Sequence, residues 1–232
     1  MPDRAPPKPL LLIQARLSSK RLPGKVLRPL AGKPMLEIMI ERMKRCESIS
    51  GLAVATSSGS DDDPIAALCE NMGIACYRGD LDDVAGRFVQ AAIEAKAQTL
   101  VRISGDSPFL DPALIDQAVA LFETSRCDLA TNILKRSFPK GMSVEVFRAE
   151  RLREAHPVMS AREREHVTAY FYAHPEEVTF ASFESKIAMD SVQLSVDTVE
   201  DYHRVQKIAR ALGPRLITAS LVEVMQVYED RS

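Results

Sequence analysis

The sequence predicts an α/β protein, a three-layer α/β/α sandwich on a mostly parallel, Rossmann-like sheet. Three observations predict it. The run Leu10-Leu11-Leu12-Ile13 is apolar at every position, as in a central strand buried on both faces. Short apolar runs alternate down the chain with stretches of helical periodicity, at the spacing of repeated strand–helix units. The 232 residues are 46% apolar and 27% charged, enough for a packed core and ordinary for a globular protein.

In order, a loop at 14–25 follows the first strand. Gly32-Lys33-Pro34 precedes Met35, Leu36, Ile38, Met39, Ile40 and Met43 at helical spacing, with Pro34 suited to a first turn. Residues 51–56 read as a second strand. A polar loop at 57–63 then enters a helix with Ser60 as its expected cap, running to about Met72 and stopping at Gly73. A third strand is expected at 74–77 and a third helix at 82–96. The strand at 99–103 is broken by Ser104-Gly105-Asp106-Ser107-Pro108. Asp111-Pro112 opens a helix to about Phe122, and 128–132 reads as a fifth strand.

The pattern changes after about Lys135. Residues 142–147 alternate like an edge or antiparallel strand, 151–155 and 162–173 look helical, and 178–183 reads as another strand. A strand at 193–196, a helix at 199–212 and a closing helix at 221–228 follow. The expected organisation is a flexible arm at 1–9, then one domain at 10–232 carrying a small α+β insertion at about 135–190.

Thirty cations against 32 anions leave a net charge of −2, which gives no broad electrostatic footprint for nucleic acid. No apolar stretch approaches the roughly 20 residues of a membrane span. The first nine residues carry four prolines and do not resemble a signal peptide's apolar core. Cys46, Cys69, Cys76 and Cys127 lack CxxC spacing and read as reduced core residues of a cytoplasmic protein.

Chemistry concentrates in the loop after the first strand. It holds Arg16, Lys20, Arg21 and Lys25, the hydroxyls of Ser18 and Ser19, and a Pro23-Gly24 turn. Open α/β sheets bind ligands at the carboxyl ends of their strands. Hydroxyls, main-chain N–H groups and cations at such an end suit phosphate oxygens; the plain alternative is a solvated basic turn. Val26 after Gly24-Lys25 excludes a Walker A loop. The lack of a GxGxxG fingerprint argues against a nicotinamide dehydrogenase. Thr56 and Ser57 end the second strand and are candidates for contacts to base or ribose. Asp106 and Asp197 each sit where a helix cap would serve, and a carboxylate at the Asp106 turn also suits Mg²⁺ held against a triphosphate.

The stretch Ala15-Arg16-x-x-Ser19-Lys20-Arg21-Leu22-Pro23-Gly24-Lys25 resembles the nucleotide loop of the sugar-acid cytidylyltransferases, the makers of CMP-sialate and CMP-KDO. The likeness is strongest to the spore-coat-polysaccharide SpsF-like branch. It continues through Val54-Ala55-Thr56-Ser57, Asp82-Asp83-Val84-x-x-Arg87-Phe88 and Arg102-Ile103-Ser104-Gly105-Asp106-x-Pro108. Pro139-Lys140-Gly141-x-x-Val144-Glu145-Val146-Phe147, Arg164-Glu165-His166-Val167-Thr168 and Leu194-Ser195-Val196-Asp197-Thr198 extend it over nearly the whole chain.

The resemblance implies a sheet of the nucleotide-diphospho-sugar transferase type and a transfer of CMP from CTP to a nonulosonic or 3-deoxy-ulosonic sugar acid. It places the nucleotide on Ala15, Arg16, Ser19, Lys20, Arg21, Gly24, Lys25, Thr56, Ser57 and Arg102, with Mg²⁺ on Asp106 and Asp197. Arg16, Lys25, Asp106 and Asp197 would be the catalytic group. The acceptor would meet Lys140, Glu145, Arg164 and His166, for which a charged helix face is the alternative. A homodimer is implied through the insertion, with Val167, Tyr170, Phe171 and Tyr172 as apolar surface. His156, His174 and His203 read as surface or capping residues. Val26 and Ser143 depart from the family pattern, at places where relatives carry Asn and Asp, and bear on which acceptor is used. A transferase for another base or acceptor, or a non-catalytic nucleotide-sugar-binding relative, are the other readings.

Overall fold

The computed structural model describes residues 7–230. The first half of the chain runs β1 (Leu10–Gln14), a hairpin of β2 (Pro29–Leu30) and β3 (Lys33–Pro34), α1 (Met35–Met43), β4 (Gly51–Ser57), α2 (Asp63–Asn71), β5 (Ala75–Gly79), α3 (Val84–Glu94) and β6 (Thr99–Ser104). The second half adds α4 (Pro112–Ser125), β7 (Leu129–Thr131), β8 (Glu145–Arg148), α5 (Ala149–Ala155), α6 (Ala161–Glu165), α7 (Ala169–Ala173), β9 (Phe180–Ser182), α8 (Val199–Leu212) and α9 (Leu221–Glu229).

Seven strands form one sheet in the order β5-β4-β1-β6-β8-β7-β9, parallel except for β8. The period of two in a strand explains the layering. Leu11 and Ile13 point to one face, under α1, α4, α8 and α9, while Leu10 and Leu12 point to the other, under α3, α5 and α7. Leu11, Leu12 and Ile13 are fully buried, each contributing about 1.5–3 kcal/mol relative to exposure. Local signals set the helix starts. Asp111 accepts from the Ala113 amide ahead of Pro112, and Thr198 with Asp201 forms a capping box on α8.

Several expectations need correction. The strand read at 142–147 is antiparallel but not at an edge: β8 lies inside the sheet, so part of the segment expected as an insertion is integral to it. Residues 193–196 form no strand and pair only through a bridge between Lys140 and Gln193. The single helix expected at 162–173 is two, broken at Val167, whose φ is +42° although it is β-branched and fully buried. Such a backbone costs on the order of 1–3 kcal/mol and persists only where its surroundings hold it. Ser60 caps nothing; it opens a short 3₁₀ turn before α2.

Of the arm at 1–9, residues 1–6 lie outside the described residues. Lys8 donates to the Glu47 carbonyl at 2.6 Å and the Pro9 carbonyl accepts from Ser50 at 2.8 Å, so the described end of the arm is fastened. Val167, Tyr170 and Phe171, expected as apolar surface, are buried in the chain's own core, and Tyr172 packs against it. Val26 is buried among core residues beneath the loop.

Candidate active site

Two glycines bring distant carboxylates together. After β6 the chain turns across the end of β1, where the Gly105 amide donates to the Gln14 carbonyl at 2.8 Å. A Cβ on Gly105 would stand 2.9 Å from that oxygen, so a larger residue there would push the next one, Asp106, out of place. At Gly141, with φ +100°, a Cβ would stand 2.7 Å from the Ser195 amide nitrogen. Its absence lets 192–195 lie on Lys140, whose backbone bonds Val192, Leu194 and Ser195. The Val196 amide then donates to the Asp106 carbonyl at 2.8 Å, and Asp197 comes to rest beside Asp106.

Lys25 joins the pair. Its ammonium donates to Asp106 Oδ2 at 2.8 Å, Asp197 Oδ1 at 3.0 Å and the Val196 carbonyl at 2.8 Å. Arg21 reaches the same Asp197 oxygen at 2.9 Å. The donor set is all oxygen and converges on one cation, which fits a hard divalent ion such as Mg²⁺. Thr198, rather than Asp197, supplies the side-chain cap of α8, and the cap of α4 is Asp111 rather than Asp106. Both carboxylates are therefore free of the capping role.

The other loop cations divide. Arg16 pairs with Glu165 of α6 at 2.9 Å, and this bond holds the Glu165 carboxyl below its ordinary value. Lys20 is exposed and makes no ion pair among the described residues. Gly24 is left-handed at φ +70°, which Gly alone tolerates freely, and its amide closes the loop on the Leu17 carbonyl at 2.9 Å. Ser19 Oγ accepts from the Leu22 amide at 3.4 Å, and Ala15 is buried.

Thr56 and Ser57 are buried, at 0% and 3% exposure, and the Thr56 hydroxyl has no hydrogen-bond partner among the described residues. Ser57 donates through both N–H and Oγ to Asp62, whose other oxygen accepts from the Leu17 amide at 2.8 Å. Asp62, at 1% exposure, thus ties the phosphate-loop candidate to β4. Burial alone would raise its carboxyl, but the Ser57 hydroxyl and the Leu17 and Ser57 amides hold it below the ordinary value of 3.8. A depressed carboxyl contributes stability that is present above pH 3.8 and lost as pH falls through the folded value. Asp62→Asn is expected to lose about 1–3 kcal/mol at pH 7. In urea unfolding, the gap from wild type should shrink below pH 3.8; a gap independent of pH would exclude the charge as its source.

Arg102, Glu145 and Arg164 are each engaged by other groups of the chain. Arg102 spans the Gln14 side-chain oxygen, at 3.1 and 3.2 Å, and Glu145. Glu145 is buried, and its second oxygen accepts from Thr168 at 2.7 Å and Tyr172 at 2.8 Å. The left-handed turn at Val167 delivers that Thr168. Arg164 donates to the Met159 and His156 carbonyls at 3.2 and 3.3 Å. His156 bonds Asp83, the side-chain cap of α3, at 2.8 Å. Lys140 and His166 remain exposed, their side chains without ion pairs among the described residues. A groove of about 900 Å³ lies at the other end of the strands, lined by Pro9, Phe122 and Arg148 among others, and shares no residue with the carboxylate pair.

A family model described as cytidylyltransferase matches residues 10–221. The spore coat polysaccharide biosynthesis protein SpsF of Bacillus subtilis is 33% identical over 214 residues, covering 89% of this chain and 88% of that protein. The chain belongs to the cytidylyltransferase family. A solved cytidylyltransferase from Leptospira borgpetersenii superposes with a TM-score of 0.91 at 29% identity, covering 97% of this chain and 94% of that one. The 3-deoxy-manno-octulosonate cytidylyltransferase of Geobacter sulfurreducens is 38% identical over 111 residues, 47% of this chain and 43% of that protein.

Sequence reasoning about this family member missed Asp62, Glu165 and Gln14. Asp62 sits in the run Asp61-Asp62-Asp63 and reads there as one of three acids starting a helix. Only its burial beneath the loop separates it from its neighbours.

Proposed function

We propose that the protein transfers CMP from CTP to a nonulosonic or 3-deoxy-ulosonic sugar acid, with release of pyrophosphate, for assembly of a surface glycan. The observation that carries this is the convergence of Asp106 and Asp197 on one cation beneath a loop bearing Arg16, Lys20 and Arg21. A polyphosphate laid along the loop meets cations, and its α-phosphate comes to the carboxylate pair. Asp106 and Asp197 would hold Mg²⁺, which when bound neutralises phosphate charge and polarises the phosphorus toward attack.

The acceptor hydroxyl attacks the α-phosphorus in line while pyrophosphate leaves opposite. Charge builds on the phosphate oxygens, so the chain's own contribution is positioning and electrostatic stabilisation. Arg16, Lys20 and Arg21 bind and orient the phosphates. Lys140 and His166, both exposed, are the groups left for the acceptor's carboxylate and hydroxyls.

Pyrophosphate release, screened over the four nucleoside triphosphates against a panel of sugar acids with Mg²⁺, tests the proposal. Turnover confined to CTP with one sugar acid is the expected result. Turnover with another nucleotide, or none with any acid while CTP still raises the melting temperature, would refute it.

A further inference from the structure

We infer that Lys25 is a resident counterion of the carboxylate pair, filling the place of the divalent cation until a nucleoside triphosphate draws it away. This rests on reading Asp106 and Asp197 as the metal site and adds a role that the family assignment does not contain.

The ammonium has three donors, and the structure gives each an acceptor: Asp106 Oδ2, Asp197 Oδ1 and the Val196 carbonyl, at 2.8, 3.0 and 2.8 Å. The Lys25 side chain is only 11% exposed, so few waters compete with those acceptors. Two carboxylates near enough to share one ammonium repel each other strongly unless a cation lies between them. Lys25 supplies that cation and keeps the pair assembled. Arg21, on the same Asp197 oxygen, completes the balance: two cations cancel the formal charge of two carboxylates.

The balance has a consequence for metal entry. A free divalent ion approaching this site gains little field, and it must displace an ammonium already satisfied on three sides. A nucleoside triphosphate changes the comparison, because its phosphate oxygens offer Lys25 and Arg21 new anionic partners. The backbone permits the transfer. Lys25 starts a short turn, with its carbonyl accepting from Arg28 at 3.2 Å and its amide donating to Leu22 at 3.2 Å. The Cα is thus fixed while four side-chain bonds rotate. Metal and nucleotide are coupled through one lysine, and the coupling is reciprocal.

The test is Mn²⁺ titration of nucleotide-free protein by calorimetry and electron paramagnetic resonance, for wild type, Lys25→Met, Lys25→Gln and each in combination with Asp106→Asn. Met keeps the side-chain bulk without the charge, and Gln provides a polar replacement should Met fail to fold. Mn²⁺ is expected to bind at least about tenfold more tightly to the Lys25 variants than to wild type. In wild type, a non-hydrolysable CTP analogue should tighten Mn²⁺ binding, and the Lys25 variants should lose most of that enhancement. Equal Mn²⁺ affinity in wild type and both Lys25 variants overturns the counterion role, provided Asp106→Asn still weakens binding. If Asp106→Asn leaves the affinity of the Lys25 variants unchanged, the carboxylate pair is not the metal site, and the reading beneath the inference fails instead. Wild-type Mn²⁺ affinity unaffected by the CTP analogue overturns the inference without any variant.

Discussion

Asp106→Asn is expected to keep the fold and lose metal-dependent pyrophosphate release by about 10³-fold or more, equivalent to about 4 kcal/mol of transition-state stabilisation. The substitution preserves shape. The Asp106 main-chain carbonyl still accepts from Val196, and Gly105 still lets the turn cross β1. What disappears is one of two negative oxygen donors aimed at the cation position. An amide oxygen binds a divalent ion more weakly and offsets none of its charge. Lys25 retains Asp197 and the Val196 carbonyl, so the local structure is held. The measurement is pyrophosphate release at saturating CTP and Mg²⁺, beside a thermal melt. A melting temperature close to wild type with turnover reduced less than tenfold would remove Asp106 from the metal site.

The second large effect is on stability. Arg42 of α1 is fully buried, yet the described residues give it no carboxylate partner. Its guanidinium instead donates to the carbonyls of Phe109, Leu110, Leu216 and Ala219, at 3.2, 3.2, 2.6 and 2.8 Å. Burial lowers it to about 10, and it remains charged at neutral pH. Phe109 and Leu110 lie in the loop after Asp106, Leu216 ends a short 3₁₀ turn (Gly213–Leu216) and Ala219 lies just before α9. Helix or sheet bonds do not satisfy those carbonyls, so one arginine does. Arg42→Met fills similar space and leaves four buried acceptors unpaired. The expected loss is about 3–5 kcal/mol, read as a lower urea midpoint with the slope preserved. A loss under about 1 kcal/mol would show that water replaces the guanidinium and that the clamp is dispensable.

Arg42 also marks where the sequence stops being informative. At 42 it reads as one more charged residue in a helix whose apolar positions are Leu36, Ile38, Met39, Ile40 and Met43. The pattern of α1 is right while the fate of its arginine is invisible, because periodicity reports the face a residue shares and not the loops that later cover it. The same holds for Glu145. It lies in a recognisable stretch, and the sequence assigns it to an acceptor. In the fold its strand enters between β6 and β7, so both oxygens are consumed by Arg102, Thr168 and Tyr172. Val26 and Ser57 are likewise buried, at positions that local pattern leaves open.

Local sequence alone reveals the mostly parallel α/β core, the helix start at Asp111 and the cationic loop behind the first strand. Those features rest on spacings within a dozen residues, where apolar period, capping chemistry and turn residues act locally. Packing of the whole chain is what puts Lys25 between Asp106 and Asp197, anchors the loop on Asp62 and seats β8 inside the sheet. Each depends on segments far apart in the chain approaching to backbone contact, as Gly105 does to Gln14 and Gly141 to Ser195. Such approaches are set by packing of whole elements, and a charge's partner is fixed only when that packing is complete.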